Sequence, residues 1–249
     1  MANPSPSLSG LPQIYGADVY GQDTIQKFPL GAIGFAYGGN KGFRYGRNNA
    51  STAAVAGQLQ VAVTVTANHV NRALDAAVAV DALSVAFTVG ATAAAKDLYA
   101  EGELCINDAG SSTGEGISYR IRGNTAFASS GAGTVFLDEP VQVAMTTSTE
   151  VSLVQNPWDR FVISVTDQAD QFVGVANKAI AVDLYAWLQT RGLCATQADE
   201  TLTVGAALTT GTGTAGQVEE LDGVLEPRLG IANQAGVDTE ERLVYLTID

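Results

Sequence analysis

Residues 58–66 read QLQVAVTVT and place a larger apolar residue at every second position, from Leu59 to Val65. This alternation predicts a β-strand with one buried face. The same pattern recurs in residues 83–89 (LSVAFTV) and 98–106 (LYAEGELCI). Shorter strands are predicted over residues 116–122, 134–137, 141–145, 151–154, 161–165 and 242–248. The close spacing favours an all-β fold, with β-sandwich or β-barrel domains of short antiparallel strands.

Some segments are less clear. Residues 71–80 (NRALDAAVAV) fit either a short helix or a strand, because alanine-rich segments leave the periodicity ambiguous. Residues 156–159 (NPWD) form a turn signal and a candidate domain boundary. We therefore predict three parts: an extended N-terminal arm (1–50), a β domain (51–155) and a small β-barrel-like domain (156–249).

The first 50 residues differ from the rest of the chain. They hold seven of the sixteen Phe and Tyr residues and nine of the 27 Gly residues, without strand or helix periodicity. Rings spaced by Gly and Pro lack a regular face of their own, which predicts an arm that docks on a partner or a neighbouring subunit. The alternative is an ordered segment that lies on its own domain. The predicted contact residues are Phe28, Phe35, Tyr37, Phe43, Arg44, Tyr45 and Arg47.

The charge disfavours a nucleic acid partner. The chain has 26 acidic and 13 basic residues, a formal net charge of −13, and an acidic protein repels phosphate backbones. Residues 1–16 show neither the basic nor the apolar region of an export signal, and no apolar stretch reaches the roughly 18 residues that a membrane span needs. We expect a protein made in the cytoplasm with no membrane partner.

Two glycine-rich motifs resemble catalytic or cofactor motifs. Residues 211–216 (GTGTAG) fit the dinucleotide-binding GxGxxG pattern, but no helix is predicted after them, which favours a flexible hairpin loop. Residues 110–114 (GSSTG) fit the GxSxG pattern of a nucleophilic serine, but the lone histidine, His69, lies upstream. His69 is predicted to be a hydrogen-bonded strand or loop residue. We predict neither an enzyme nor a cofactor.

The metal ligands are also few. One histidine and two distant cysteines, Cys105 and Cys194, do not make a zinc site, which needs three or four nitrogen or sulfur ligands. Calcium stays open, because Asn107, Asp108 and Glu115 offer oxygen atoms around one loop.

Several short segments resemble a group of tailed-phage virion proteins, namely capsid decoration (cement) or minor structural proteins. They are residues 40–46 (NKGFRYG), 56–59 (AGQL), 99–107 (YAEGELCIN), 114–119 (GEGISY), 156–157 (NP), 186–192 (AWLQTRG) and 236–238 (GVD). The resemblance implies a β-rich subunit without a cofactor, often a trimer, on the capsid exterior. Its partner would be the phage major capsid protein, and it would stabilise the lattice by bridging capsomers.

Two other functions fit the composition. One is another virion component, such as a tail, fibre or minor head protein. The second, less favoured, is a carbohydrate-binding surface module in which Trp158 or Trp187 would stack on a sugar.

Overall fold

The computed structural model of the chain describes residues 14, 18–108, 114–166, 171–223 and 226–249. Strands hold 43% of the residues and helix only 4%. In the described part of the chain that helix is confined to three 3₁₀ turns, at Asp18–Tyr20, Tyr37–Gly39 and Ala67–His69. The all-β prediction is confirmed. No helix among the described residues is long and apolar enough to cross a membrane.

The strands run in chain order as follows: β1 (Ile33–Ala36), β2 (Lys41–Asn48), β3 (Leu59–Val61), β4 (Arg72–Ala73), β5 (Ser84–Thr88), β6 (Glu103–Asp108), β7 (Ser118–Asn124), β8 (Ala132–Leu137), β9 (Glu150–Val154), β10 (Asp159–Ile163), β11 (Phe172–Ala176), β12 (Tyr185–Gln197), β13 (Ala207–Thr210), β14 (Val218–Glu220), β15 (Gly230–Ala232) and β16 (Glu241–Thr247).

The chain divides into two compact units. Unit 2 is one continuous segment, Thr64–Asn156, and carries β4 to β9. Unit 1 is discontinuous: it takes the described residues up to Val63 and those from Pro157 onward. The structure therefore places β1 and β2, from the predicted arm, in the same unit as the C-terminal strands.

Unit 1 contains a closed ring of five strands. The hydrogen-bonded order is β2, β10, β3, β11 and β12, and β12 pairs again with β2. The β2–β10 pair is parallel, whereas the other pairs of the ring are antiparallel. Phe161, Val173 and Leu188 are fully buried together in one core cluster of this unit. Closure leaves these five strands without an open edge.

A second, nearly closed barrel shares β12 with the first. From β12 the sheet continues through β16, β15, β13 and β14. A parallel bridge between Ala198 and Val218 brings β14 back beside the end of β12. The buried core of this barrel includes Cys194, Leu208 and Val244.

Strand β12 serves both barrels because it changes partner along its length. Its first half pairs with β2, with Trp187 opposite Tyr45, and its second half pairs with β16, with Leu193 opposite Tyr245. The change falls at Gly192, where φ is 85°, a conformation that glycine adopts without strain.

Unit 2 is a six-stranded barrel around one hydrophobic core. Its strand order is β4, β9, β6, β7, β8 and β5, and a bridge between Leu74 and Phe87 connects the end of β4 back to β5. His69 is fully buried here: its Nδ1 meets the Tyr99 hydroxyl and its Nε2 lies 2.8 Å from the Thr92 carbonyl oxygen. The prediction that His69 is hydrogen-bonded is confirmed, although the residue ends a 3₁₀ turn and does not lie in a strand or loop.

The local predictions have mixed outcomes. The GxGxxG segment, residues 211–216, connects β13 to β14 in an antiparallel hairpin, as predicted. The strand predicted over residues 141–145 is wrong, because only an isolated bridge forms there, between Val78 and Met145. The ambiguous residues 71–80 contain the short strand β4.

Candidate protein-binding surface

Residues 18–50 are not an extended arm, and the prediction that their rings wait for a partner is wrong for two of them. Phe43 and Tyr45 lie on β2, opposite Gln189 and Trp187 of β12. Their side chains are 1% and 0% exposed. Both rings are therefore buried within unit 1 and cannot contact another molecule.

These rings belong to an aromatic cluster on the outer side of the first ring of strands. The Tyr45 ring centroid lies 5.3 Å from that of Phe28, 5.1 Å from that of Trp187 and 6.0 Å from that of Tyr185. Edge-to-face and stacked ring pairs at these separations are favourable. The Tyr45 hydroxyl donates to the Asp23 carboxylate at 3.1 Å, and burial raises the pKa of this tyrosine.

The two predicted arginine contacts also stay within the chain. The Arg44 guanidinium makes two bonds to the Asp249 carboxylate, at 2.7 and 3.1 Å, and lies 4.9 Å above the Trp158 ring. Arg47 forms an ion pair with the nearly buried Asp159, with 2.9 Å between Nε and Oδ1. Each guanidinium is already paired with a carboxylate of the same unit, so a partner would have to share or replace that pair, and the predicted contacts of Arg44 and Arg47 stay predictions.

Four large apolar side chains among the described residues up to 50 are exposed to solvent. Tyr37 and Phe28, both predicted contacts, are 52% and 36% exposed, whereas Phe35 is half-buried. Tyr20 is 45% and Ile25 75% exposed. We call Tyr20, Ile25, Phe28 and Tyr37 the N-terminal aromatic surface. The sequence reasoning missed Ile25, although an apolar residue alone among polar neighbours (GQDTIQK) is the signal for it.

Interactions within the chain position parts of this surface. Tyr20 is hydrogen-bonded to Tyr37; burial, and then Tyr37, raises the Tyr20 pKa. The Lys41 ammonium group lies 5.8 Å from the centroid of the Tyr37 ring. A cavity of about 240 Å³ opens beside Phe28, and its lining includes Asp18, Gly21, Asp23, Lys27 and Trp187. Aromatic rings beside a cavity and a few charges are the usual anchors of protein interfaces.

A second exposed apolar feature crosses the second barrel. Ala207, Ile231, Tyr245 and Leu193 are consecutive partners on β13, β15, β16 and β12. We call these four residues the apolar row. The sequence reasoning missed this row because it lies across strands and not along one.

The candidate metal ligands of the sequence can be placed only in part. Among the described residues no group of three or more His, Cys, Asp and Glu side chains could hold a metal ion. Asn107, Asp108 and Glu115 are exposed, but residues 109–113, with most of the GxSxG motif, lie outside the described residues, so the calcium prediction stays a prediction.

Neither tryptophan is fully exposed to solvent. Trp187 is 5% exposed, and Trp158 is half-buried with its indole N–H donating to the Val173 carbonyl oxygen at 3.2 Å. The burial of Trp187 removes it as the stacking residue of the less favoured carbohydrate-binding alternative.

Cys194 should be inert in the folded protein. Burial raises its pKa to about 12 from an ordinary 9.0, and its Sγ lies 3.2 Å from Asn177 Oδ1. In a Cys105→Ser variant we expect no reaction with Ellman's reagent at pH 8 until denaturant unfolds unit 1. Because the folded pKa is the higher one, stability contributed by the protonated thiol is complete below pH 9 and is lost as the pH rises toward 12. One thiol reacting rapidly without denaturant would contradict this prediction.

Comparison of the chain with protein-family models, with curated proteins and with solved structures found no match. The function must therefore be argued from the residues and their geometry.

Proposed function

We propose that this protein is a non-enzymatic structural component of a tailed-phage virion, which binds the capsid exterior and stabilises the lattice by bridging capsomers. The observation that carries the binding role is the N-terminal aromatic surface. The virion setting rests on the resemblance of the sequence segments given above. The proposal requires no cofactor.

The exposure of this surface is the first support. Four large side chains between residues 20 and 37 are each at least 36% exposed, although the fold buries Phe43 and Tyr45 a few residues further on. Scattered single apolar residues are normal on a protein surface, whereas a contiguous apolar patch marks an interaction site. Within this set Tyr20 and Tyr37 are hydrogen-bonded to each other. Covering these side chains with a partner would remove their apolar area from water.

The arrangement of charge is the second support. Lys27, Lys41, Arg44 and Arg47 are the basic residues among the first 50, against Asp18 and Asp23, so this segment carries +2 and the rest of the chain −15. The binding surface thus lies in the least acidic part of the sequence. The acidic remainder keeps neighbouring copies apart in solution and favours solubility.

Stabilisation of the lattice follows from linkage. A subunit that binds two joined capsomers and has little affinity for separated ones shifts the equilibrium toward the assembled shell. Closed barrels suit this role, because few open strand edges remain to pair wrongly at high local concentration.

A binding experiment tests the proposal. Ile25→Asp combined with Tyr37→Asp places two charges in the N-terminal aromatic surface, and we expect it to weaken cosedimentation with capsids that lack the protein by about 30-fold or more. Val80→Asp is the matched control, since Val80 is 49% exposed but belongs to unit 2. Equal binding of the double variant and the wild type would reject this surface.

The number of copies on the virion separates the virion roles. Quantitative mass spectrometry of purified particles should find the protein in hundreds of copies if it decorates the lattice. A handful of copies would instead favour a tail, fibre or minor head protein, and absence from the particles would reject the proposal.

A further inference from the structure

The apolar row spans four neighbouring strands on the outward face of the second barrel. Ala207 lies opposite Ile231, Ile231 opposite Tyr245, and Tyr245 opposite Leu193. Tyr245 is 40% and Leu193 38% exposed, and the other two are half-buried. The residues between them along β12 and β16, such as Cys194 and Val244, point inward and are buried. A barrel strand normally places polar residues on its solvent side, so this face is unusual.

A second apolar pair extends the face along the strands. Leu243, which is 41% exposed, lies opposite the exposed Ala195. Neither the apolar row nor this pair contains a charged residue, and Lys41 lines the pocket beside Ala195 and Leu243. Depletion of charge with an aromatic residue at the centre is the composition of a protein interface core.

The two ends of this face carry opposite charges. At one end Arg191 is exposed and lies opposite Thr247, and at the other end Glu241 is exposed and lies opposite Gln197. Arg191 and Gln197 are six residues apart on β12, which corresponds to about 20 Å along the strand. The face therefore runs from a basic end, through an apolar centre, to an acidic end.

We propose that a second copy of this chain binds this face, with the two copies related by a two-fold axis through its apolar centre. A two-fold axis brings the same patch of each copy together in reversed direction. The basic end of one copy then meets the acidic end of the other, so Arg191 pairs with Glu241 of the second copy, twice. The apolar rows pack against each other between these two ion pairs.

The charge order is the reason to choose a second copy as the occupant. A patch with one sign of charge would need a partner of the opposite sign. A patch that has a positive residue at one end and a negative residue at the other can pair with a second copy of itself in the reversed direction. This two-fold contact differs from the trimer that the resemblance implies. The face adjoins the N-terminal aromatic surface at Tyr20, which lines the same pocket as Ala195, Glu241 and Leu243.

The mass of the protein in solution tests this inference. Analytical ultracentrifugation of the full chain should show a concentration-dependent rise from one chain of 25.7 kDa to two. Leu193→Glu combined with Tyr245→Glu should hold the protein at the mass of one chain. Tryptophan fluorescence checks that the variant stays folded, and Val80→Asp serves as the variant that should not change the mass.

Exchanging the charges of Arg191 and Glu241 distinguishes a specific ion pair between copies from a general loss of stability. Arg191→Glu alone and Glu241→Arg alone each place like charges together, and each should raise the dissociation constant about tenfold. The double variant restores opposite charges at both ends and should return the dissociation constant close to the wild-type value. A single-chain mass at all concentrations, a three-chain mass, or a double variant no better than the single ones would overturn the inference. None of these measurements involves a capsid, so their failure leaves the proposed virion role standing.

Discussion

Replacing Gly192 with alanine should lower the free energy of unfolding of unit 1 by at least about 3 kcal/mol, an effect at the large end for a single methyl group. Two causes combine. Gly192 has a φ of 85°, where a residue with a Cβ is strained by about 1–2 kcal/mol. A Cβ built there would also lie well inside van der Waals contact of the Asn40 carbonyl oxygen, which belongs to the backbone and cannot rotate away.

The location of Gly192 explains why this clash cannot be relieved cheaply. The residue lies where β12 leaves its pairing with β2 and continues beside β16. Moving β12 away from Asn40 would lengthen hydrogen bonds in both barrels at once. We therefore expect both barrels of unit 1 to unfold at a lower denaturant concentration.

A matched glycine separates the two causes. Gly205 has a φ of 90°, and a Cβ there would meet no atom within 4 Å. Gly205→Ala should thus show the backbone strain alone, about 1–2 kcal/mol. Both tryptophans of the chain lie in unit 1, so urea unfolding followed by tryptophan fluorescence reports on this unit. Equal destabilisation by the two substitutions would show that the clash with Asn40 contributes nothing.

Replacing Tyr45 with alanine should destabilise unit 1 by about 3–5 kcal/mol, the range found for buried aromatic residues. Tyr45 is fully buried, packs against Phe28, Tyr185 and Trp187, and donates a hydrogen bond to Asp23. Its removal leaves a cavity and takes one hydrogen bond from the Asp23 carboxylate, which keeps its ion pair with Lys27. The same unfolding measurement gives the size of the loss.

This substitution also decides between the two interpretations of the first 50 residues. Tyr37→Ala is the control, because Tyr37 is 52% exposed and its loss should change stability by less than about 0.5 kcal/mol. If residues 18–50 were an arm that docks only on a partner, neither substitution would affect the isolated protein. A Tyr45→Ala variant as stable as the wild type would restore the arm hypothesis.

The sequence predicted best those strands that have one face in solvent. Strand β16, with Val244 and Leu246 inward and its odd-numbered residues outward, was expected from its alternation. Strand β5 was found in the same way. In both strands buried and exposed residues alternate along the sequence, so a local pattern of apolar residues reveals the strand.

Strands β2 and β12 escaped prediction because both of their faces are covered. In β12 five consecutive residues, Ala186 to Thr190, are buried, so no alternation appears. In β2 the glycines were interpreted as flexible spacers, but Gly46 permits close packing: a Cβ there would meet the Trp158 carbonyl oxygen at 2.9 Å and the Phe161 ring at 3.2 Å. Such contacts join distant parts of the chain, and one sequence does not reveal them.

The candidate surfaces, too, depend on contacts between distant parts of the chain that one sequence does not reveal. Phe28 and Tyr37 keep solvent contact, as a partner-binding role requires, while Phe43 and Tyr45 look alike in sequence and are buried. What separates them is the strand pairing of β2 with β12. The apolar row depends on the register of four strands, which no local pattern encodes.

The chain of unit 1 is interrupted by unit 2, and this insertion affects how the protein can evolve. Strands β3 and β10 are direct antiparallel neighbours, with Val61 opposite Val162 and Gln60 opposite Ile163, and all of unit 2 lies between them in the chain. A tight hairpin of a few residues could close the same gap. The β3–β10 connection is thus an insertion site in unit 1. Evolution, or an engineer who wishes to display a foreign domain, can replace unit 2 with another domain there without changing the strands of unit 1.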